Sequence, residues 1–209
     1  EIQAFVELMV KHDVKIISDE IWSDFIMEGK HTPAWSVSEL AKDKVSAMYA
    51  CTKTFNLAGL IGSYRIVYNK RLRDRIDKEA SLPCYNEMNV LSMYALIGAY
   101  EQTGKEWLEE LLQVLNGNIE FACDYIKNHF DGVQVAKPEG TYMLFVDCTQ
   151  WCEAHGKTID EVIQACHDVG VAIQDGRQFR GPCHLRMNLA SPLSRIEEAF
   201  RRLKEYVFI

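Results

Sequence analysis

The chain has no excess of positive charge, no long apolar run and no paired cysteine motif, and each absence removes a class of function. It carries 23 Lys and Arg against 30 Asp and Glu, with a net charge of -7 and a pI near 5.4. It therefore has no overall basic surface for nucleic acid or an anionic membrane. No apolar run approaches the ~20 residues of a membrane span. We expect small-molecule chemistry, with no nucleic-acid or membrane partner.

The cysteines lack the CxxC spacing of a zinc or redox module. Their number is odd, and a reduced, cytoplasmic setting fits this scatter best. We interpret them as small buried thiols, including the pair Cys148 and Cys152 at a strand end and a short polar turn, and we expect no metal site. The seven are Cys51, Cys84, Cys123, Cys148, Cys152, Cys166 and Cys183.

The first residues indicate an α/β fold. Residues 2–12 carry apolar side chains at helical spacing, and Val14 to Ile17 form an apolar run typical of a strand buried on both faces. Because the chain opens partway through this helix and lacks an initiator methionine, we expect it to be part of a longer protein. With 48% hydrophobic and 25% charged residues, it has the composition of a folded domain.

The remaining pattern predicts two regions, 1–100 and 101–209, although no linker marks their boundary. The pattern is helical from Arg71 to about His129, and Asn89 to Tyr100 is apolar on most sides, which predicts a helix packed between layers. Further helices are predicted at 158–169, capped by Thr158, and at 194–206. Strands are predicted at 45–49, 61–68, 133–136, 141–146, 171–174 and 184–188.

Two strand ends carry residues suited to chemistry. Ser18-Asp19-Glu20-Ile21-Trp22 follows the first strand, at the carboxyl end where open α/β sheets bind ligands. Lys53 follows the second strand, within ACTKTFNLAGL. An amine at such a position, when partly desolvated, can act as a nucleophile toward an aldehyde. Taken singly, Asp19 and Glu20 are more commonly an acidic pair that begins a loop, and Lys53 is more commonly a solvated surface lysine.

Together these motifs resemble the SDEI and SKTFNLAGL motifs of fold-type-I enzymes that use pyridoxal 5'-phosphate (PLP). The similarity continues through WLEELLQVLNGN, PEGTYMLFVD, GVAIQDGRQF and LRMNLASPLSRIEEAFRRL. In order and rough spacing the segments resemble the MalY/PatB-type carbon–sulfur lyases along nearly the whole chain. The resemblance implies the second part of the large PLP-binding domain, with a mainly parallel sheet and helices, followed by the small carboxy-terminal α+β domain.

The resemblance also implies a role for five residues. Lys53 would form the Schiff base with the cofactor, and Asp19 would face its pyridine nitrogen. Trp22 and Thr52 would lie at the cofactor, Thr52 as a candidate donor to the phosphate. Arg186, in the segment similar to the family's RLN, would bind the substrate carboxylate, for which a planar guanidinium is suited. A structural pairing with an acidic neighbour is the alternative for Arg186.

Several positions depart from the family pattern. Trp22 stands where many aminotransferases have a tyrosine, and tryptophan there is more typical of the lyase-like branch. Ile61 stands where they commonly have a phosphate-binding arginine; Arg65 follows four residues later, so the phosphate contacts are open. The loop GRQFRGPCHLRMN is shorter than usual. The glycine-containing phosphate loop, the ring-stacking aromatic residue and the ring-binding asparagine of the amino-terminal half are not in this sequence.

By resemblance, we predict a PLP-dependent enzyme that acts on amino acids by β-elimination at a carbon–sulfur bond, and a homodimer in the full-length protein. An aminotransferase is the nearest alternative, because it shares every step up to removal of the α-proton. A third possibility is a non-catalytic domain used for dimerisation or regulation. The loss of the phosphate arginine supports that possibility, while Lys53, Asp19 and Arg186 oppose it.

Overall fold

The structure is a computed structural model that describes residues 1–82 and 88–209. It confirms the α/β class. The helices are α1 (Ile2–Lys11), α2 (Glu39–Lys44), α3 (Cys51–Thr54), α4 (Lys70–Ser81), α5 (Val90–Ala99), α6 (Gln102–His129), α7 (Thr149–His155), α8 (Ile159–Asp168) and α9 (Leu193–Tyr206). The strands are β1 (Ile16–Asp19), β2 (Val45–Tyr49), β3 (Tyr64–Val67), β4 (Gln134–Val135), β5 (Met143–Asp147), β6 (Gln174–Asp175) and β7 (His184–Asn188).

The chain divides into two compact units, Glu1–Glu110 and Leu111–Ile209, which meet within the sequence of α6. The domain boundary near residue 100 stays a prediction. Cys84 and the part of the predicted helical stretch at 83–87 lie outside the described residues.

The first unit contains a three-stranded sheet in the order β1-β2-β3. β1 runs parallel to β2, whereas β3 is antiparallel to β2. Apolar side chains of α1, α2 and the two parallel strands form a core on one face of this sheet, and removal of their surface from water stabilises it. The core residues are Val6, Ile16, Ala41, Val45 and Ala47.

The first and third strands differ from their predicted limits. β1 begins at Ile16 rather than Val14, and Ile17 is 75% exposed, so the prediction of a strand buried on both faces is wrong for the described chain. Only the alternate residues of β1 face the core, because successive strand side chains point to opposite faces. β3 begins at Tyr64 rather than Ile61, since a 3-10 turn at Ala58–Leu60 and a positive φ of 38° at Ile61 interrupt the extended backbone.

Helix α5 also departs from prediction. The segment was expected to pack between layers, but Val90, Leu91, Tyr94 and Ile97 are exposed among the described residues. Ser92 and Ala99 are its buried positions. An apolar helix surface predicts burial but not the element that covers it, and the described residues cover only one side of α5.

The second unit contains an antiparallel sheet in the order β4-β5-β7-β6. The predicted strand β7 is confirmed at His184–Asn188, where it pairs with both β5 and β6. The part of α6 in this unit buries one face, and Gly117 does not interrupt the helix. The buried apolar positions follow helical spacing at Leu115, Ile119, Ala122 and Ile126.

Helix α7 of this unit was not predicted from the sequence, whereas helix α8 and its cap were. The segment after Cys148, predicted as a polar turn, is helix α7. The backbone N and the hydroxyl of its first residue, Thr149, both donate hydrogen bonds to Asp147 Oδ1. The bond from the Thr149 backbone N satisfies one of the free N–H donors at the start of the helix. Apolar periodicity in the sequence does not indicate such a bond. The cap predicted at Thr158 is confirmed as a capping box with Glu161.

Candidate active site at the carboxyl ends of two parallel strands

Asp19 and Lys53 follow from two neighbouring parallel strands. Asp19 is the last residue of β1 and pairs in register with Met48 of β2. Lys53 lies in α3, which begins two residues after β2 ends. Because parallel strands end at the same edge of a sheet, the structure brings the two side chains to one edge of the first unit. Both residues are exposed there.

Lys53 is carried by a short helix whose neighbouring residues are buried. Cys51 and Thr54 are 3% and 1% exposed. The Thr54 hydroxyl donates to Asp24 Oδ2 at 2.7 Å, which ties α3 to the segment that follows β1. Burial raises the pKa of the Cys51 thiol, so this cysteine remains a neutral packing residue at physiological pH. The Lys53 backbone is thus held firmly while its amine stays accessible.

The other three residues predicted at the cofactor occupy distinct positions. Asp19 Oδ1 accepts a hydrogen bond from the Ile21 backbone N at 3.2 Å, which leaves lone pairs on both of its oxygens for a ligand. The Trp22 indole is half-buried, with its centroid 5.6 Å from that of Phe25. Thr52 is half-buried in α3, and its backbone oxygen accepts from Leu57 N.

The departure at the predicted phosphate position is visible in the structure. Ile61 is 78% exposed and its positive φ is uncommon for a β-branched residue. Arg65, the next arginine, is ion-paired with Asp77 of α4. Its guanidinium is therefore engaged within the first unit, and neither residue supplies an obvious anion contact.

Arg186 belongs to the second unit, in the centre of β7. Its Nη1 donates to Gln174 Oε1 at 2.6 Å, and its Cζ lies 4.5 Å from the Phe179 ring centroid. Within 1–82 and 88–209 no carboxylate forms an ion pair with it, so the acidic neighbour that a purely structural arginine would have is not found in this part of the chain. The contacts hold one side of the guanidinium and leave further N–H donors for a ligand.

The sequence reasoning missed the residues that support this site. Glu20 is 5% exposed and accepts hydrogen bonds from several elements, and Tyr49 and Asp24 join β1, β2 and α3. Glu20 was considered only as part of a loop or cap. The two-residue period of a strand already indicates that Glu20 is buried. Ile16, Ser18 and Glu20 lie on the same face, so Glu20 continues a face that begins with an apolar core residue.

Comparison with known proteins identifies the family of this chain. Residues 1–203 match the model for "Aminotransferase class I and II". The chain belongs to this family. Cystathionine beta-lyase PatB of Bacillus subtilis is 29% identical to it over 95% of this chain and 51% of the relative. An aspartate aminotransferase of the same organism is 29% identical over 99% of this chain and 52% of the relative.

A solved structure agrees with the family assignment. A PLP-bound protein of Clostridium difficile 630, described as a candidate aminotransferase, superposes with a TM-score of 0.90 at 36% identity, over 97% of this chain and 52% of that one. The chain thus has the fold of this PLP-bound protein. It spans about half the length of the curated relatives it matches.

None of the helices in 1–82 and 88–209 is long and apolar enough to cross a membrane. The same residues contain no group of three or more His, Cys, Asp or Glu side chains placed to hold a metal ion.

Proposed function

We propose that the full-length protein containing this chain is a PLP-dependent enzyme that acts on amino acids by β-elimination at a carbon–sulfur bond. The observation that carries the proposal is the placement of an exposed carboxylate, Asp19, and an exposed amine, Lys53, at the same ends of adjacent parallel strands. The PLP-bound relative and the cystathionine beta-lyase relative support the cofactor and the reaction.

The residues of this chain can supply two of the three contacts considered for PLP, those to its aldehyde carbon and to its ring nitrogen. An amine can bond to the aldehyde carbon, and a carboxylate can hold a proton on the pyridine nitrogen. The phosphate contact is not matched by Ile61, and the Thr52 hydroxyl is the remaining candidate in this stretch. We infer that the phosphate is held mainly by residues outside the chain described.

Each residue has a defined task in the proposed reaction. PLP, when bound, supplies an electron sink for the electron pair left on the substrate α-carbon. Asp19 holds the proton on the ring nitrogen, which strengthens that sink. Arg186 binds the substrate carboxylate with two parallel N–H donors. Lys53 removes the α-proton as general base, after which a thiolate leaves from the β-carbon.

An aminotransferase is the second candidate. The aspartate aminotransferase relative is as similar to this chain as the lyase relative, and removal of the α-proton is common to both reactions. Trp22, at a position where many aminotransferases have tyrosine, favours the lyase. Incubation with L-cystathionine separates the two: a lyase releases pyruvate and a free thiol without an added oxo acid, whereas an aminotransferase requires the oxo acid and releases no thiol.

Lys53→Ala tests the assignment in the natural full-length protein. The protein is incubated with PLP, reduced with borohydride and digested, and the pyridoxyl label is located by mass spectrometry. We expect the label on Lys53 in the parent and no stoichiometric label or turnover in the variant. Lys105→Ala is the matched control, because Lys105 is an exposed lysine of the first unit whose amine makes a surface pair at 3.7 Å with Glu109. A stoichiometric label on another lysine would refute the role of Lys53.

We also propose that the protein acts as a cytoplasmic homodimer. The exposed apolar side chains of α5, with Leu91 71% and Tyr94 69% exposed, support an interface, because contiguous apolar surface is usually covered by a partner. The molecular mass of the full-length protein in solution tests the dimer, and a monomer at micromolar concentration would contradict it.

A further inference from the structure

Glu20 is the acceptor of a buried hydrogen-bond network. Its Oε1 accepts from the Ser18 hydroxyl at 2.9 Å and from the Ala34 backbone N at 3.0 Å. Its Oε2 accepts from the Tyr49 hydroxyl at 2.6 Å and lies 2.9 Å from His31 Nε2. One carboxylate therefore joins β1, the end of β2 and the segment 31–34.

The ionised form of Glu20 suits this network. Burial raises the pKa of Glu20, but the hydrogen bonds from Tyr49, His31 and Ala34 outweigh it, so the pKa lies below its ordinary value. Burial and the Glu20 charge raise the pKa of Tyr49, which stays a neutral donor. Tyr49 also accepts from Trp35 Nε1 at 3.1 Å, so its hydroxyl orientation is determined on both sides.

The network lies on the opposite face of the strand end from Asp19. Ser18 and Glu20 are two residues apart and face the core, whereas Ile17 and Asp19 face outward. The Glu20 backbone N donates to Met48 O at 2.9 Å, which continues the pairing of β1 with β2 one residue beyond Asp19. Asp19 is thus an exposed carboxylate between two residues whose side chains are tied to the core.

We propose that Glu20, through its bond from Tyr49, is a positioning residue that fixes the Asp19 carboxylate where it meets the cofactor's ring nitrogen. The inference rests on the proposed function. Without the network, the backbone at 18–20 would gain freedom to rotate, and the Asp19 carboxylate would be held less firmly toward the ring nitrogen. Asp19, although chemically unchanged, would then stabilise a proton on that nitrogen less.

The test uses the full-length protein loaded with PLP labelled with ¹⁵N in the ring, and follows the ring-nitrogen shift by NMR against pH. Tyr49→Phe removes the donor at 2.6 Å and keeps the Glu20 charge. Ser18→Ala, a milder second variant, removes one donor to the other oxygen. Tyr68→Phe is the matched control, because the Tyr68 ring packs on the same Trp35, 5.1 Å between centroids.

We expect the ring-nitrogen pKa to fall by about one unit in Tyr49→Phe, by less in Ser18→Ala, and to be unchanged in Tyr68→Phe. Circular dichroism establishes that each variant is folded. A merely structural role for Glu20 would lower thermal stability in Tyr49→Phe but leave the ring-nitrogen pKa at the parent value, which would overturn the inference. A parent protein that takes up no PLP would overturn both the inference and the proposed function, so the two failures are distinguishable.

Discussion

Replacement of Arg186 by lysine tests the proposal that this arginine binds the carboxylate of an amino-acid substrate. The guanidinium is oriented by Gln174 at 2.6 Å and by the Phe179 ring at 4.5 Å, so its free donors form a fixed fork. Lysine keeps the charge but can offer only a point contact to one carboxylate oxygen. Loss of one charge-assisted hydrogen bond costs about 1.5–3 kcal/mol. Because each 1.4 kcal/mol is a factor of ten, amino-acid binding should weaken about 10- to 150-fold.

The assay is a titration of PLP-loaded full-length protein with an L-amino acid, followed by the visible absorbance of the cofactor. The decarboxylated amine of the same side chain is a second ligand, and its affinity should not change, since it has no carboxylate for Arg186. Arg180→Lys is the matched control: Arg180 follows the 3-10 helix Gly176–Phe179 in the same unit, is exposed and, within the described residues, makes no side-chain ion pair. Unchanged amino-acid affinity in a folded Arg186→Lys protein would show that the arginine is structural.

Two further predictions concern stability. Asn118→Ala removes the bonds from its Nδ2 to Leu189 O and Ser191 O, at 2.9 and 3.0 Å. It should lower the free energy of unfolding by about 2 kcal/mol relative to Asn116→Ala, a control with the same change in helix propensity. Equal urea midpoints for the two variants would contradict this. Glu20 has a folded-state pKa below its ordinary 4.5, so its contribution to stability is present above pH 4.5 and is lost as the pH falls through the folded-state pKa. Tyr49→Phe should move the pKa of Glu20 upward. The urea midpoint of this variant, measured from pH 7 down to pH 3, should therefore fall less steeply with pH than that of the parent protein. Parallel plots of urea midpoint against pH would show that Tyr49 does not influence the pKa of Glu20.

Local patterns in this chain predicted several elements correctly. The helix at α1, the strand limits of β2 and β7 and the cap at Thr158 depend on periodicity or on a side chain three residues away, so they were predicted correctly. Prediction was weaker at Ile17 and α5, because burial depends on which other surface covers an apolar face. Helix α7 was missed because the residues after Cys148 were interpreted as a polar turn, and the bonds from Thr149 to Asp147 Oδ1 leave no trace in apolar spacing.

The sequence by itself determined the chemistry available to this protein: a lysine and an aspartate after successive strands, an arginine near the carboxyl terminus and no overall basic surface. Only the tertiary structure decided that β1 and β2 are parallel neighbours, which brings Asp19 and Lys53 to one edge of the sheet. It alone also decided that Glu20 accepts a hydrogen bond from Tyr49 of β2 and that Arg65 is paired with Asp77. Strand pairing and burial join residues far apart in the chain, and side-chain periodicity along one segment carries no record of such partners.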